Sequence, residues 1–148
     1  MVFNILKIFK KQSDVPTSRI DRLTYAVGDI HGTYSLFIKL LARIRTDAEA
    51  LGVRPRVILL GDYIDRGAES ARVLDEILKI EAENDRGAGW CDLEVLIGNH
   101  EQAMMDFLKT GDGGMWLKHG GIACLSSYGI DMPQGVELPV ISEGLRNR

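Results

Sequence analysis

Leu23-Thr24-Tyr25-Ala26-Val27-Gly28-Asp29-Ile30-His31-Gly32 is a short, partly β-branched apolar run that stops at a glycine and passes directly into an acid and an imidazole. A run of this kind, bounded by turn residues, reads as a buried strand from Leu23 to Val27 with a polar loop at its carboxyl end. From Thr33 the period changes. Leu36, Phe37, Leu40, Leu41 and Ile44 form an apolar stripe at helical spacing that fades before Gly52. The plan then repeats: Val57 to Leu60 reads as a strand ending at Gly61, followed by a loop and the stripe Val73, Leu74, Ile77 and Leu78. Leu93 to Ile97 reads as a third strand, ending at Gly98 and giving way to Met104, Met105 and Leu108. Strand-loop-helix units in succession predict an α/β fold of mostly parallel β-α-β-α-β units. In such sheets ligands bind beyond the carboxyl ends of the strands. Farther on, Asp112 to Gly114 reads as a loop, Met115 to Lys118 as a helical turn, Gly120-Gly121 as a break, and Leu138 to Leu145 as the start of another helix.

Composition narrows the possibilities. With 148 residues, 45% hydrophobic and 26% charged, the chain has enough apolar material for one domain and not for two. The expected organisation is a flexible leader over 1–21, one domain over 22–130 and a tail over 131–148. A formal charge of −3 provides no field for nucleic acid or an anionic bilayer, and no nucleic-acid partner is expected. Cys91 and Cys124 are too few for a disulfide framework and read as reduced thiols of a cytoplasmic protein. Lys7 interrupts the apolar residues of the N-terminus, and neither a membrane span nor a secretory signal is expected there. Trp90 and Trp116 read as packing residues, since no basic aromatic stripe accompanies them.

The chemistry is concentrated at the strand ends. The first strand runs into Gly28-Asp29-Ile30-His31-Gly32, the second into Gly61-Asp62-Tyr63-Ile64-Asp65-Arg66-Gly67, and the third into Gly98-Asn99-His100-Glu101. Asp29, His31, Asp62 and Asn99 are two carboxylates, an imidazole and an amide oxygen, a mixed ligand set suited to manganese, iron or zinc. A carboxylate bridging two cations lets them sit ~3.5–4 Å apart, the spacing used for in-line displacement at phosphorus, and Asp62 is the natural bridge. A water on such a metal ionises near neutral pH and would be the nucleophile. His100 would stand beside the metals as general acid for the leaving alkoxide, with Asp65 holding its tautomer. Arg66 offers a planar fork of donors matched to two phosphate oxygens. Any one Gly-Asp turn alone reads as a turn, and any Asp-His or Asp-Arg pair as a structural ion pair. Their joint appearance at consecutive strand ends favours a site.

In order and spacing these motifs resemble the N-terminal signatures of the calcineurin-like metallophosphoesterases, and within them the bacterial phosphoprotein phosphatases that act on phosphoserine and phosphothreonine. The resemblance runs from about Leu23 to Tyr128. It implies the N-terminal portion of an α-β-β-α sandwich and two divalent metal ions, with manganese preferred. It also implies Asp29, His31, Asp62 and Asn99 as metal ligands, His100 with Asp65 as the proton-donor pair, and Arg66 as the phosphate binder. The implied function is metal-dependent hydrolysis of a phosphoprotein or small phosphate ester. Hydrolysis of dinucleoside polyphosphates is the alternative within the same superfamily, and a non-catalytic metal- or phosphate-binding remnant is the alternative outside enzymes.

The family pattern also calls for two further histidine ligands and a second arginine downstream. After Glu101 there is one histidine, His119, in the setting Trp116-Leu117-Lys118-His119-Gly120-Gly121, where relatives commonly have Asn. His119 therefore reads as a surface or structural residue. The expectations that follow are weak or absent activity of this chain alone, and an exposed apolar sheet face that favours self-association.

Overall fold

The computed structural model describes residues 21–131. The leader and the Leu138 to Leu145 helix lie outside the described residues. The elements are β1 (Thr24–Val27), α1 (Tyr34–Ala50), β2 (Arg56–Leu59), α2 (Ser70–Asp85), β3 (Asp92–Val95), α3 (Asn99–Thr110), α4 (Gly114–Trp116) and α5 (Ile122–Ser127), with a kinked π-type turn, Leu117–Gly121, joining the last two. The strands form one parallel sheet in the order β1-β2-β3, as the alternating pattern predicts. Sequential parallel order with crossovers of one hand places the connecting helices on one face. Accordingly α1 packs against α2, and α2 against β3 and α5.

Register decides which residues enter the core. Tyr25, Val57 and Leu93 pair across the sheet, as do Val27, Leu59 and Val95, so these rows share a face. Val57 and Leu59 on the central strand are completely buried, beneath Phe37, Leu41 and Ile44 of α1 and Val73, Ile77 and Ile80 of α2. Phe107 of α3 is also wholly buried and packs on Trp116 with ring centroids 5.0 Å apart. Truncating it to Ala would cost about 3–5 kcal/mol.

The apolar stripes are narrower than their sequence reading. α1 buries Phe37, Leu41, Ile44 and Ala48, whereas Leu36 and Leu40 flank that line and are exposed. Leu78 lies one position off the Val73-Ile77-Ile80 line of α2 and is exposed likewise. β3 ends at Val95, so Leu96 and Ile97 lie past the ladder, with Ile97 exposed. Met104 and Leu108 pack on the margin of the core, and Phe107, absent from the predicted stripe, fills its centre.

The other sheet face also departs from expectation. It carries the rows Thr24-Arg56-Asp92 and Ala26-Ile58-Glu94. Arg56 is ion-paired with Glu94 across it, and Asp92 takes hydrogen bonds from Arg22 and Arg54. It is a mixed surface rather than the apolar one predicted, because polar side chains occupy four of these six positions. Among the described residues no helix is long and apolar enough to cross a membrane.

Candidate active site

Parallel strands put all their carboxyl ends at one edge, which brings the three polar loops together. Gly61 and Gly98 seal the contact between the second and third. A Cβ at Gly61, where φ is 109°, would stand 2.4 Å from the Gly98 nitrogen, and one at Gly98 would stand 2.2 Å from Asp62 Oδ1. The loops are also strained. Among the described residues, the non-glycine positions with positive φ are His31 (45°), Asp62 (56°), Asp65 (72°) and Arg66 (63°). Left-handed backbone at non-glycine residues is uncommon and concentrates at functional sites. All four are residues singled out for their chemistry.

Asp62 is at the centre. Its carbonyl accepts the N–H groups of Ile30 and His31, each at 2.9 Å, and its Oδ1 accepts the N–H of His100 at 3.2 Å. His31 Nδ1 lies 2.9 Å from the carbonyl of Ile64, which can only accept, so Nδ1 carries the proton and Nε2 keeps its lone pair. Nε2 lies 3.9 Å from Asp29 Oδ2. Ligand atoms of His31, Asp62 and His100 lie within 4.8 Å of one another, and the two imidazoles meet edge to face.

His100 is held from two sides. Its Nδ1 donates to Asp65 Oδ2 at 2.6 Å, and its Nε2 lies 3.4 Å from Arg66 Nη2. Asp65 is completely buried, and its Oδ2 takes a second hydrogen bond, from Trp116 Nε1 at 2.8 Å. Burial pushes the Asp65 carboxyl above its ordinary value, opposed by the donors His100 and Trp116. Asp65 Oδ1 has no hydrogen-bond partner among the described residues. The Asp65 backbone is fixed as well, its N–H donating to Ser70 Oγ at 3.0 Å.

Glu101 ties the loops together. Its carboxylate, nearly buried, accepts the N–H groups of Asp62 and Tyr63 at 2.8 Å each, Gly98 at 3.0 Å and Ile64 at 3.3 Å. As the third residue of α3 it also satisfies the helix N-terminus, where negative charge is favoured.

Residues 23–141, most of the chain and including all three loops, match the family described as Calcineurin-like phosphoesterase. The chain belongs to the calcineurin-like phosphoesterases. It is 36% identical over 103 residues to Serine/threonine-protein phosphatase 2 of Escherichia coli, covering 68% of this chain and 39% of that protein. It is 33% identical over 104 residues to the Salmonella typhimurium protein of the same name, covering 70% and 41%. A Cellvibrio japonicus protein named Bis(5'-nucleosyl)-tetraphosphatase, symmetrical, is 35% identical over 78 residues, covering 53% and 24%. The chain therefore spans about two fifths of the length of the phosphatases it matches.

Membership of the calcineurin-like phosphoesterases implies divalent metal ions, and the donors fit them. His31 presents Nε2 with its tautomer fixed by a backbone carbonyl, the usual arrangement behind a metal-binding imidazole. Asp29 Oδ2 and the Asp62 carboxylate lie beside it, giving a nitrogen and oxygen set suited to borderline cations. Asn99 opens α3 and lines a cavity of about 300 Å³ together with Arg66 and His100. His119 is exposed, its Nδ1 bonded to the Met115 carbonyl at 2.7 Å, yet it lines the same cavity. The surface or structural reading of His119 agrees with its exposure, and the cavity wall also places it beside Arg66 and His100.

Two contributors escaped the sequence reading of this phosphoesterase. Trp116 reads as packing, but a buried indole needs a partner for its one N–H, and that demand points toward a nearby acid. Glu101 carries the signal of an acid at the third position of a helix that follows a glycine, which predicts capping but not the four-fold bridging of two loops.

Proposed function

We propose that the chain carries the N-terminal half-site of a metal-dependent phosphomonoesterase acting on phosphoserine, phosphothreonine or similar esters. One observation carries the reading: the His31-Asp62-His100 cluster, the Asp65-bonded His100 and the phosphate-matched fork of Arg66 converge at the edge of the sheet. Asp29, His31, Asp62 and Asn99 would hold the metals, with manganese the expected species. Divalent cations bound there supply charge neutralisation at the phosphoryl oxygens and a water acidic enough to attack phosphorus near neutral pH.

Arg66 binds two non-bridging oxygens of the ester and so orients the phosphorus. His100 delivers a proton from Nε2 to the departing alkoxide as the ester P–O bond breaks. Asp65 keeps the other ring nitrogen protonated and stabilises the imidazolium before transfer. Trp116 and Ser70 hold Asp65 in place for that task.

The test is phosphate release from a phosphoserine peptide in manganese, with Asp62→Asn as the control for contaminating phosphatase. Turnover that disappears in the variant supports the proposal. The resemblance to a symmetrical tetraphosphatase motivates a parallel assay on diadenosine tetraphosphate. Preferential cleavage of that substrate would replace the phosphomonoesterase reading; because weak or absent activity is expected of this stretch alone, the non-catalytic reading is separated by manganese and phosphate binding rather than by turnover.

A further inference from the structure

Beside the site lies a cavity of about 300 Å³ whose polar lining is Arg66, Asn99, His100 and His119. Among the described residues no carboxylate lines it, and Asp29, Asp62 and Asp65 are outside its wall. Asp65 stands behind His100 and its Oδ2 is taken up by His100 and Trp116, so the charge that faces the cavity is the Arg66 guanidinium, which favours an anion over a cation. We propose that His119 is a substrate-binding residue, holding the ester phosphate jointly with Arg66. This rests on the phosphate-ester reading of the site given above and adds a protein group to it.

The backbone locks His119 beside Arg66. The Arg66 N–H donates to the Gly120 carbonyl at 3.3 Å, so the kink after His119 lies directly on the arginine. Gly120 has φ +117°, and a Cβ there would come within 2.7 Å of the Arg66 nitrogen, which only glycine avoids. His119 is thereby delivered to the cavity by the same contact that positions Arg66.

The ring is prepared as well. A carbonyl oxygen only accepts, so the 2.7 Å contact with Met115 puts the proton of His119 on Nδ1 and leaves Nε2 for a ligand. Nε2 then meets a phosphate oxygen through one shared proton, whichever partner carries it. The flanking Ala103 and Met115 provide an apolar margin for the organic part of the ester.

The probe is inorganic phosphate, titrated into the 148-residue chain in the presence of magnesium, followed by the ring nitrogens of its three histidines and the Arg66 Nε–H in nitrogen-15 spectra. The expected result is a saturable shift of His119 Nε2 that tracks Arg66, and in His119→Ala a phosphate affinity about tenfold weaker with unchanged circular dichroism. Response of Arg66 and His100 without His119, or affinity in His119→Ala within about twofold of the parent, overturns the assignment while leaving the phosphate site intact. Absence of response at all three overturns it together with the phosphate-ester reading.

Discussion

Trp116 Nε1 and His100 Nδ1 converge on one oxygen, Asp65 Oδ2, at 2.8 and 2.6 Å. A side chain from α4 therefore braces the proton-handling pair formed between the second and third loops. The indole ring is itself wedged against Phe107, so packing of the core and orientation of the acid are one arrangement.

Trp116→Phe keeps an aromatic ring on Phe107 and deletes the donor. It is expected to lower stability by about 1 kcal/mol in urea unfolding, the usual net worth of one hydrogen bond. Combined with Asp65→Ala, which removes the acceptor, the losses should fail to add, because both variants act on one bond. Additive losses would show that the indole acts by packing alone.

Glu101→Ala removes the acceptor of four backbone N–H groups and is expected to cost about 3 kcal/mol or more. The urea midpoint should fall with little change in slope. A loss under about 0.5 kcal/mol, the range of ordinary surface changes, would contradict the clamp.

The sheet was legible because each strand is a short apolar run closed by glycine, and parallel order follows from three repeated units. The meeting of the three polar loops was legible because parallel strands put their carboxyl ends at one edge of the sheet. Leu36, Leu40 and Leu78 were misplaced because periodicity gives the direction of a helix face and not the width covered by neighbours. α5 was missed because Gly120-Gly121 reads as a terminus, whereas the chain kinks there and continues helically. The roles of Trp116 and Glu101 depend on partners 51 and 37–39 residues away, which no local pattern contains.

Alkaline pH should destabilise the fold. Burial pushes Cys91 up from 9.0 to about 11, Cys124 from 9.0 to about 12 and Tyr63 from 10.0 to about 12. Above pH 9 the unfolded chain releases these protons before the folded one does. Stability therefore falls as pH rises, at most about 1.4 kcal/mol per pH unit for each group, until the folded values are passed. Urea midpoints at pH 7.5, 9 and 10 check this, and a flat series would contradict the burial of these groups.

His100→Asn separates proton donation from metal binding. Turnover of a phosphate ester is expected to fall by about 10²–10⁴-fold, the usual contribution of a positioned acid. Manganese affinity should stay within about threefold, well short of the loss expected for a ligand or its direct support. Loss of metal in this variant would make His100 a ligand, as its place in the His31-Asp62-His100 cluster also permits.

The most direct test of the account is a manganese titration of the chain and of Asp62→Asn, reading free manganese by electron paramagnetic resonance. Saturable depletion of the free-ion signal by the parent chain, weakened at least about tenfold in Asp62→Asn, is the predicted result. Equal depletion by both would place the metal away from the strand-end loops and contradict the assignment of this site.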